Sequence, residues 1–388
     1  MLKFIAAALL LVATPAVEAS PRARDLGVPF DGITGPLNAI TDVAGVTVGQ
    51  ISLIGDVADD PSGTRKIRTG VTAILPRGRD SLNTPVFGAW FALNGNGEMT
   101  GTAWLDESGQ LEGPVLLTNT HSVGVVRDAA IAWRVGQGGA DPSGYWWSLP
   151  VVAETWDGHL NDINGFHVRP DHVSAALSGA KSGPVEEGSV GGGTGMICHE
   201  YKCGIGTASR RVAEGGRDYI VGVLVQANYG LRDSLRIAGV PIGQHLRKDR
   251  IYSEPDPAAS DTGSIIIVVA TDAPMLPHQI KRLAKRAGMG LARMGSYAGN
   301  GSGDIFIAFS TANRAALTGT AKAQAEFLGN DRLDPFFAAT VQATEEAIVN
   351  AMVAARDMRG TEGHYAKALS HDELIALLKR YRRYAPPR

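Results

Sequence analysis

Only two of the 388 residues are cysteine, Cys198 and Cys203. That excludes a small scaffold held by several disulfides in place of a core. With four residues between the two thiols, a single disulfide stays open. A tetrahedral zinc site does not follow, because His199 is the only histidine nearby. An excess of charge of either sign is also missing: 37 Lys and Arg stand against 39 Asp and Glu, for a net charge of -2. Readers of nucleic acid or of anionic membranes present a basic face, so neither partner is expected. Lys281, Arg282, Lys285 and Arg286 share one helical stretch, but no second basic element supports them, and they read as a solvated helix face.

Several motifs are absent as well. There is no His-Glu-x-x-His pair and no Gly-x-Ser-x-Gly elbow. The run Gly191 to Gly195 has neither the spacing of a dinucleotide loop nor the Lys-Ser/Thr ending of a phosphate loop. Ser178-Gly179-Ala180-Lys181 has the form Ser-x-x-Lys, yet no Lys-Thr-Gly follows it, and it is set aside. No cofactor and no metal are expected.

Long apolar runs are confined to the beginning. Lys3 precedes the apolar stretch Phe4 to Ala13, Pro15 breaks it, and Val17-Glu18-Ala19 places small residues where signal peptidase cuts. The expectation is a signal peptide over residues 1–19 and a periplasmic or secreted protein, with no membrane partner once the signal is removed. The stretch is too short to span a bilayer, which takes about 20 apolar residues.

What is abundant is glycine, with 48 residues clustered between apolar runs, as tight turns and close backbone approaches require. Short strands are expected at residues 46–48, 71–75, 86–93, 114–117, 219–226, 264–270 and 305–309. Helices are expected at residues 125–135, 277–293 and 335–356, with another beginning near Asp372. Asn94-Gly95-Asn96-Gly97 reads as a turn, residues 244–262 as an exposed excursion, and residues 140–170 carry no clear assignment. No linker divides the chain, and the mixture of elements suggests one layered α/β body over residues 20–388.

One segment stands out chemically. Gly299-Asn300-Gly301-Ser302-Gly303-Asp304 lies between a helix and an apolar strand, with glycine on both sides of Ser302. That leaves the Gly301 carbonyl open to attack by the Ser302 hydroxyl. An N-to-O shift followed by hydrolysis would release a chain beginning at Ser302. Its α-amine, with an ordinary pKa of about 7.7–8.0, can serve as base for its own hydroxyl. By itself the motif is also ordinary turn chemistry.

Five strings occur in one order: Thr118-Asn119-Thr120-His121-Ser122-Val123-Gly124, Val190-Gly191-Gly192-Gly193-Thr194-Gly195, Val225-Gln226-Ala227-Asn228-Tyr229-Gly230, Ala270-Thr271-Asp272-Ala273-Pro274 and Gly301-Ser302-Gly303-Asp304-Ile305. Together they resemble the family of L-aminopeptidase/D-esterases and β-peptidyl aminopeptidases, from about residue 35 to residue 355. The resemblance implies an αββα four-layer sandwich of amino-terminal-nucleophile type, with different strand connectivity. It also implies a precursor that splits between Gly301 and Ser302 into 20–301 and 302–388, which stay together as large and small subunits. The substrates would be short peptides, amides or esters bearing an amino-terminal α- or β-amino acid, and the assembly a homo-oligomer.

The same resemblance assigns Ser302 as nucleophile, Thr344 and Glu346 as the hydroxyl-x-carboxylate pair that orients it, and Asn228 as oxyanion donor. Glu187 would bind the substrate ammonium and Tyr201 would line the pocket. For Asn228 a turn-capping role, for Glu346 a solvent-facing one and for Tyr201 plain packing stay open beside these. Two other functions are weighed against this. One is an acyltransferase of the same architecture, related to the ornithine acetyltransferases, which have threonine at the cleavage point. The other is a binding protein that never cleaves itself.

Overall fold

The apolar runs form strands because their branched side chains pack on both faces of a pleated sheet. The computed structural model describes residues 20–79, 84–138, 147–251, 263–317 and 321–387. The expected signal segment therefore lies outside the described residues, as does most of the excursion before Gly263.

Two sheets carry the fold. The first is built from β1 (Thr47–Asp56), β2 (Lys66–Arg79), β5 (Val115–Asn119) and β6 (Val151–Thr155), in that order. The second contains β3 (Val86–Ala92), β4 (Gln110–Leu111), β9 (Ile205–Glu214), β10 (Arg217–Asn228), β11 (Ser264–Thr271) and β12 (Gly303–Ser310), ordered β4-β3-β12-β11-β10-β9. The small hairpin of β7 (Ile197–Cys198) and β8 (Tyr201–Lys202) lies apart from both, closed by a Cys198–Cys203 disulfide.

The helices cover the outer faces. On the first sheet lie α2 (Val123–Gly136) and α3 (Pro170–Ser178); on the second lie α5 (Pro277–Arg293) and α6 (Asp334–Val353). The short α1 (Thr102–Ser108) and α4 (Ile242–His245) and the carboxy-terminal α7 (His371–Arg380) complete the set of α-helices among the described residues. Helix, sheet, sheet, helix is the expected αββα sandwich.

The central strands show how sequence becomes layer. All eight residues of β11 are buried, as a strand sandwiched on both faces and paired in parallel with β12 should be. Alternation along β12 sends Ile305, Ile307 and Phe309 between the sheets and Phe306 and Ala308 toward the helices. Helix α5 buries Ile280, Leu283, Ala284, Ala287 and Leu291, a 3.6-residue stripe. Pro277 opens it, and Gln279 Oε1 accepts from the Leu276 N–H at 3.0 Å, relieving one orphan donor of its first turn. Strand β6, strand β9 and helix α3 are absent from the sequence-based expectation.

Candidate active site

Sheet register gathers the site at one end. Asn228 closes β10 opposite Ser264, which opens β11 opposite Gly303, which opens β12. Across β12, Ile305 pairs with Ala92, so the Asn94–Gly97 turn follows beside the start of β12. The second layer reaches the same end. Gln226 Nε2 donates to the Thr118 carbonyl at 2.8 Å and to Thr155 Oγ1 at 2.9 Å, tying β10 to the last residues of β5 and β6.

Ser302 is buried at the head of β12. Its N–H donates to the Gly299 carbonyl at 2.9 Å, closing a turn that Ala298 enters with a positive φ of 52°. Its Oγ donates to Asp304 Oδ1 at 2.7 Å. The Asn94–Gly97 turn clamps the same segment. Asn96 N–H donates to the Ser302 carbonyl at 3.2 Å, and Asn96 Nδ2 donates to the Gly301 carbonyl at 2.7 Å. Asn94 Oδ1 accepts from the Asp304 N–H, while its Nδ2 donates to the Gly299 carbonyl at 3.1 Å and to Asp304 Oδ2 at 3.3 Å. Gly303 is required here: a Cβ on it would stand 2.4 Å from the Asn96 carbonyl oxygen.

A buried carboxylate adjoins this point, and it is Glu154. A Cβ on Gly97 would meet Gly303 Cα at 3.2 Å and Glu154 Oε1 at 3.3 Å, so the acid and the start of β12 flank one glycine. Glu154 is the penultimate residue of β6, accepts from the Glu98 N–H at 3.0 Å and from Thr120 Oγ1, and is only 4% exposed. Burial raises its pKa above the ordinary carboxyl value, against the pull of the Thr120 hydroxyl, the Glu98 N–H and His121.

Asn228 lies two strands from β12, roughly 10 Å across the sheet, with its Oδ1 accepting from Ile197 N–H at 2.9 Å. The disulfide hairpin therefore fixes which way its amide points. Tyr201 belongs to that hairpin and is buried. Arg232 stacks on its ring at 3.5 Å, its hydroxyl donates to the Leu246 carbonyl at 3.3 Å, and burial pushes its pKa up to about 12. Those contacts are packing ones.

The remaining expected residues do not meet Ser302. Glu346 faces β9, three strands away from β12 and so roughly 14 Å across the sheet, where it pairs with Arg210 at 2.7 Å, with both Nε and Nη2 of Arg24 at 2.8 Å, and with Asn38 Nδ2 at 2.6 Å. Burial would raise its pKa, but the Arg24 hydrogen bonds and the charges of Arg210 and Arg24 hold it below the ordinary value. Thr344 packs against Gly290 of α5, and its buried Oγ1 has no hydrogen-bond partner among the described residues. Glu187 also sits over β9, bonded to Arg22 at 2.7 Å and to the Thr207 N–H at 2.8 Å. Arginines from the amino-terminal arm have taken both carboxylates.

Sequence reasoning missed Glu154, Asn94, Asn96 and Asp304. Signals for the last three were present, since Gly-Ser-Gly-Asp contains one and the Asn-Gly-Asn-Gly turn holds two amides. Glu154 had none, because its strand lies in the unassigned 140–170 region.

Residues 38–366 match Peptidase family S58. The β-peptidyl aminopeptidase BapA of Sphingosinicella microcystinivorans is 53% identical over 99% of this chain and 98% of its own length. The protein of that name from Sphingosinicella xenopeptidilytica is 46% identical over 97% and 96%. Among solved structures, the L-aminopeptidase D-Ala-esterase/amidase of Ochrobactrum anthropi, described as a prototype serine aminopeptidase and a variant of the Ntn hydrolase fold, superposes with a TM-score of 0.87. It is 49% identical and covers 94% of this chain and 100% of its own. A Burkholderia β-aminopeptidase gives a TM-score of 0.82 at 46% identity, covering 93% and 99%.

Proposed function

The chain belongs to peptidase family S58 and is a serine aminopeptidase of the amino-terminal-nucleophile type, and from that premise we propose that it is exported and cleaves itself between Gly301 and Ser302. The two chains, 20–301 and 302–388, stay packed together, and the mature enzyme is a homo-oligomer of such pairs. Exposure to periplasmic or external peptides follows from the signal-like segment over residues 1–19.

In the mature enzyme the Ser302 α-amine takes the proton of its own Oγ as that oxygen attacks the substrate carbonyl. Asn228, with a backbone N–H, holds the oxyanion; the amine then protonates the leaving nitrogen, and water hydrolyses the ester. Glu154 receives the substrate ammonium, the role Glu187 is too far across the sheet to fill. The observation that carries this reading is the meeting of a buried serine, held beside a clamped carbonyl, with a buried carboxylate across Gly97.

Short peptides and amides with a free amino-terminal residue are the substrates, and β-amino acids are among the residues released. Two relatives named β-peptidyl aminopeptidases, similar over nearly the whole chain, support that choice. The acyltransferase alternative is disfavoured by serine rather than threonine at the cleavage point. The test is intact mass spectrometry with amino-terminal sequencing of wild type beside Ser302→Ala. Two chains, one beginning Ser302-Gly303-Asp304, with the variant whole, are expected. A wild type that stays whole would remove the base this mechanism needs and favour the binding-protein reading.

A further inference from the structure

The α-amine that serves the mature enzyme does not exist before cleavage, because the Ser302 nitrogen is then part of the amide being broken. Some other group must take the Oγ proton in the precursor, and the Gly301 carbonyl needs its own donor. We propose that Asp304 is the general base of the self-cleavage step and Asn96 its oxyanion donor, with Asn94 positioning Asp304. This rests on the self-cleavage reading above.

Both groups already touch the reacting atoms. Asp304 Oδ1 accepts from Ser302 Oγ at 2.7 Å, within the reach a proton transfer needs. Asn96 Nδ2 sits 2.7 Å from the Gly301 oxygen, the atom that gains negative charge when the carbonyl is attacked. Asn94 holds Asp304 from two sides, accepting from its N–H and donating to Oδ2 at 3.3 Å. The Gly303 N–H donates to Ser264 Oγ at 3.1 Å, and the Ser302 carbonyl accepts from Asn96 N–H, so the peptide unit that follows the scissile bond is held at both its ends. Asp304 is fully buried, whereas Asn96 is exposed, so water reaches the loop that faces the scissile bond.

The Oγ proton passes to Asp304 as Oγ bonds the Gly301 carbonyl carbon, and the oxyanion is held by Asn96. The carbon–nitrogen bond breaks and the Ser302 nitrogen takes the proton from Asp304, leaving an ester to Gly301 and a free amine. Water hydrolyses the ester to the Gly301 carboxylate and restores the Ser302 hydroxyl. The new amine then takes over as base for substrate.

The experiment follows self-cleavage of full-length wild type, Asp304→Asn, Asp304→Ala and Asn96→Ala during cell-free synthesis, by gel and intact mass, with circular dichroism to confirm folding. Asp304→Asn should slow cleavage by about 10²–10⁴-fold and Asn96→Ala by about 10²–10³-fold. Added formate or acetate should restore cleavage of Asp304→Ala in proportion to its concentration, which a merely structural role would not allow. In a Ser302→Cys background, whose thiol ionises near pH 8.5 unaided, Asp304→Asn should cost far less at alkaline pH. A folded Asp304→Asn or Asn96→Ala precursor that cleaves at the wild-type rate overturns the proposal while leaving self-cleavage intact. Should Asp304→Asn not fold, Asn96→Ala, at an exposed position, decides alone. A wild type that never cleaves defeats the underlying reading instead.

Discussion

Arg210 and Glu346 meet at 2.7 Å on the helix-covered side of the six-stranded sheet, and each side chain is only 1% exposed. Desolvating two charges is tolerable there because Arg24 and Asn38 complete the carboxylate's hydrogen bonds. The pair is thus a fixture of the α6–β9 packing and, at three strands from β12, remote from the serine.

Glu346→Gln should therefore act on stability. Leaving Arg210 buried without its counter-charge costs about 3–5 kcal/mol, to be read as a lower urea midpoint with an unchanged slope. The folded fraction should still cleave before Ser302. If the variant keeps its midpoint yet loses turnover, Glu346 has a chemical role that this geometry does not supply.

Glu154→Gln should weaken only substrates with a charged amino terminus. A charge-assisted hydrogen bond contributes about 1.5–3 kcal/mol, so kcat/KM should fall roughly 10- to 150-fold. Esters or amides whose amine is acetylated should be indifferent to the change. The acid must be ionised to bind an ammonium, and burial raises its pKa. The acid limb of wild-type kcat/KM should thus lie above the ordinary carboxylate value of about 4.3, and it should vanish in the variant.

Asn228→Ala should lower kcat with little change in KM, because an oxyanion donor acts on the transition state. A loss of about 10²–10³-fold is the scale for one such donor. An effect on KM alone, seen in steady-state kinetics on a chromogenic amide, would place Asn228 in binding instead.

Asp157 gives the protein a pH-dependent weakness. Burial pushes its pKa up to about 7, although Asn161 Nδ2 donates to its Oδ1 at 3.0 Å. The folded state holds this proton more tightly than the unfolded chain, so the group's stabilising contribution is full below about pH 4 and is lost as pH rises through 7. The shift corresponds to something on the order of 4 kcal/mol. Asp157→Asn should gain on wild type across that window in thermal melts; parallel melting curves for the two proteins at every pH would refute the assignment.

Much of this was legible in the sequence. The runs at residues 264–270 and 305–309 read as buried strands because every position but Ser264 is apolar, and α5 declared itself by Pro277 and its apolar stripe. Strand β9 was missed because its sequence, Ile205-Gly206-Thr207-Ala208-Ser209-Arg210-Arg211-Val212, carries polar residues that only tertiary partners satisfy. Thr207 and Ser209 bond to backbone and side chains of residues 35–42, and Arg210 bonds to Glu346.

By itself the sequence determined the types of the strongly apolar strands and amphipathic helices and the serine in its glycine turn, because periodicity and backbone freedom are local properties. Tertiary structure alone decided which acids and amides stand beside that serine. Glu187, Glu346 and Glu154 are all carboxylates next to apolar segments, and nothing local separates them. Their surroundings differ because strand order puts β9 at the sheet edge, within reach of Arg22 and Arg24, and carries the end of β6 to the start of β12. Strand order is fixed by contacts between residues far apart in the chain, and no window of sequence contains them.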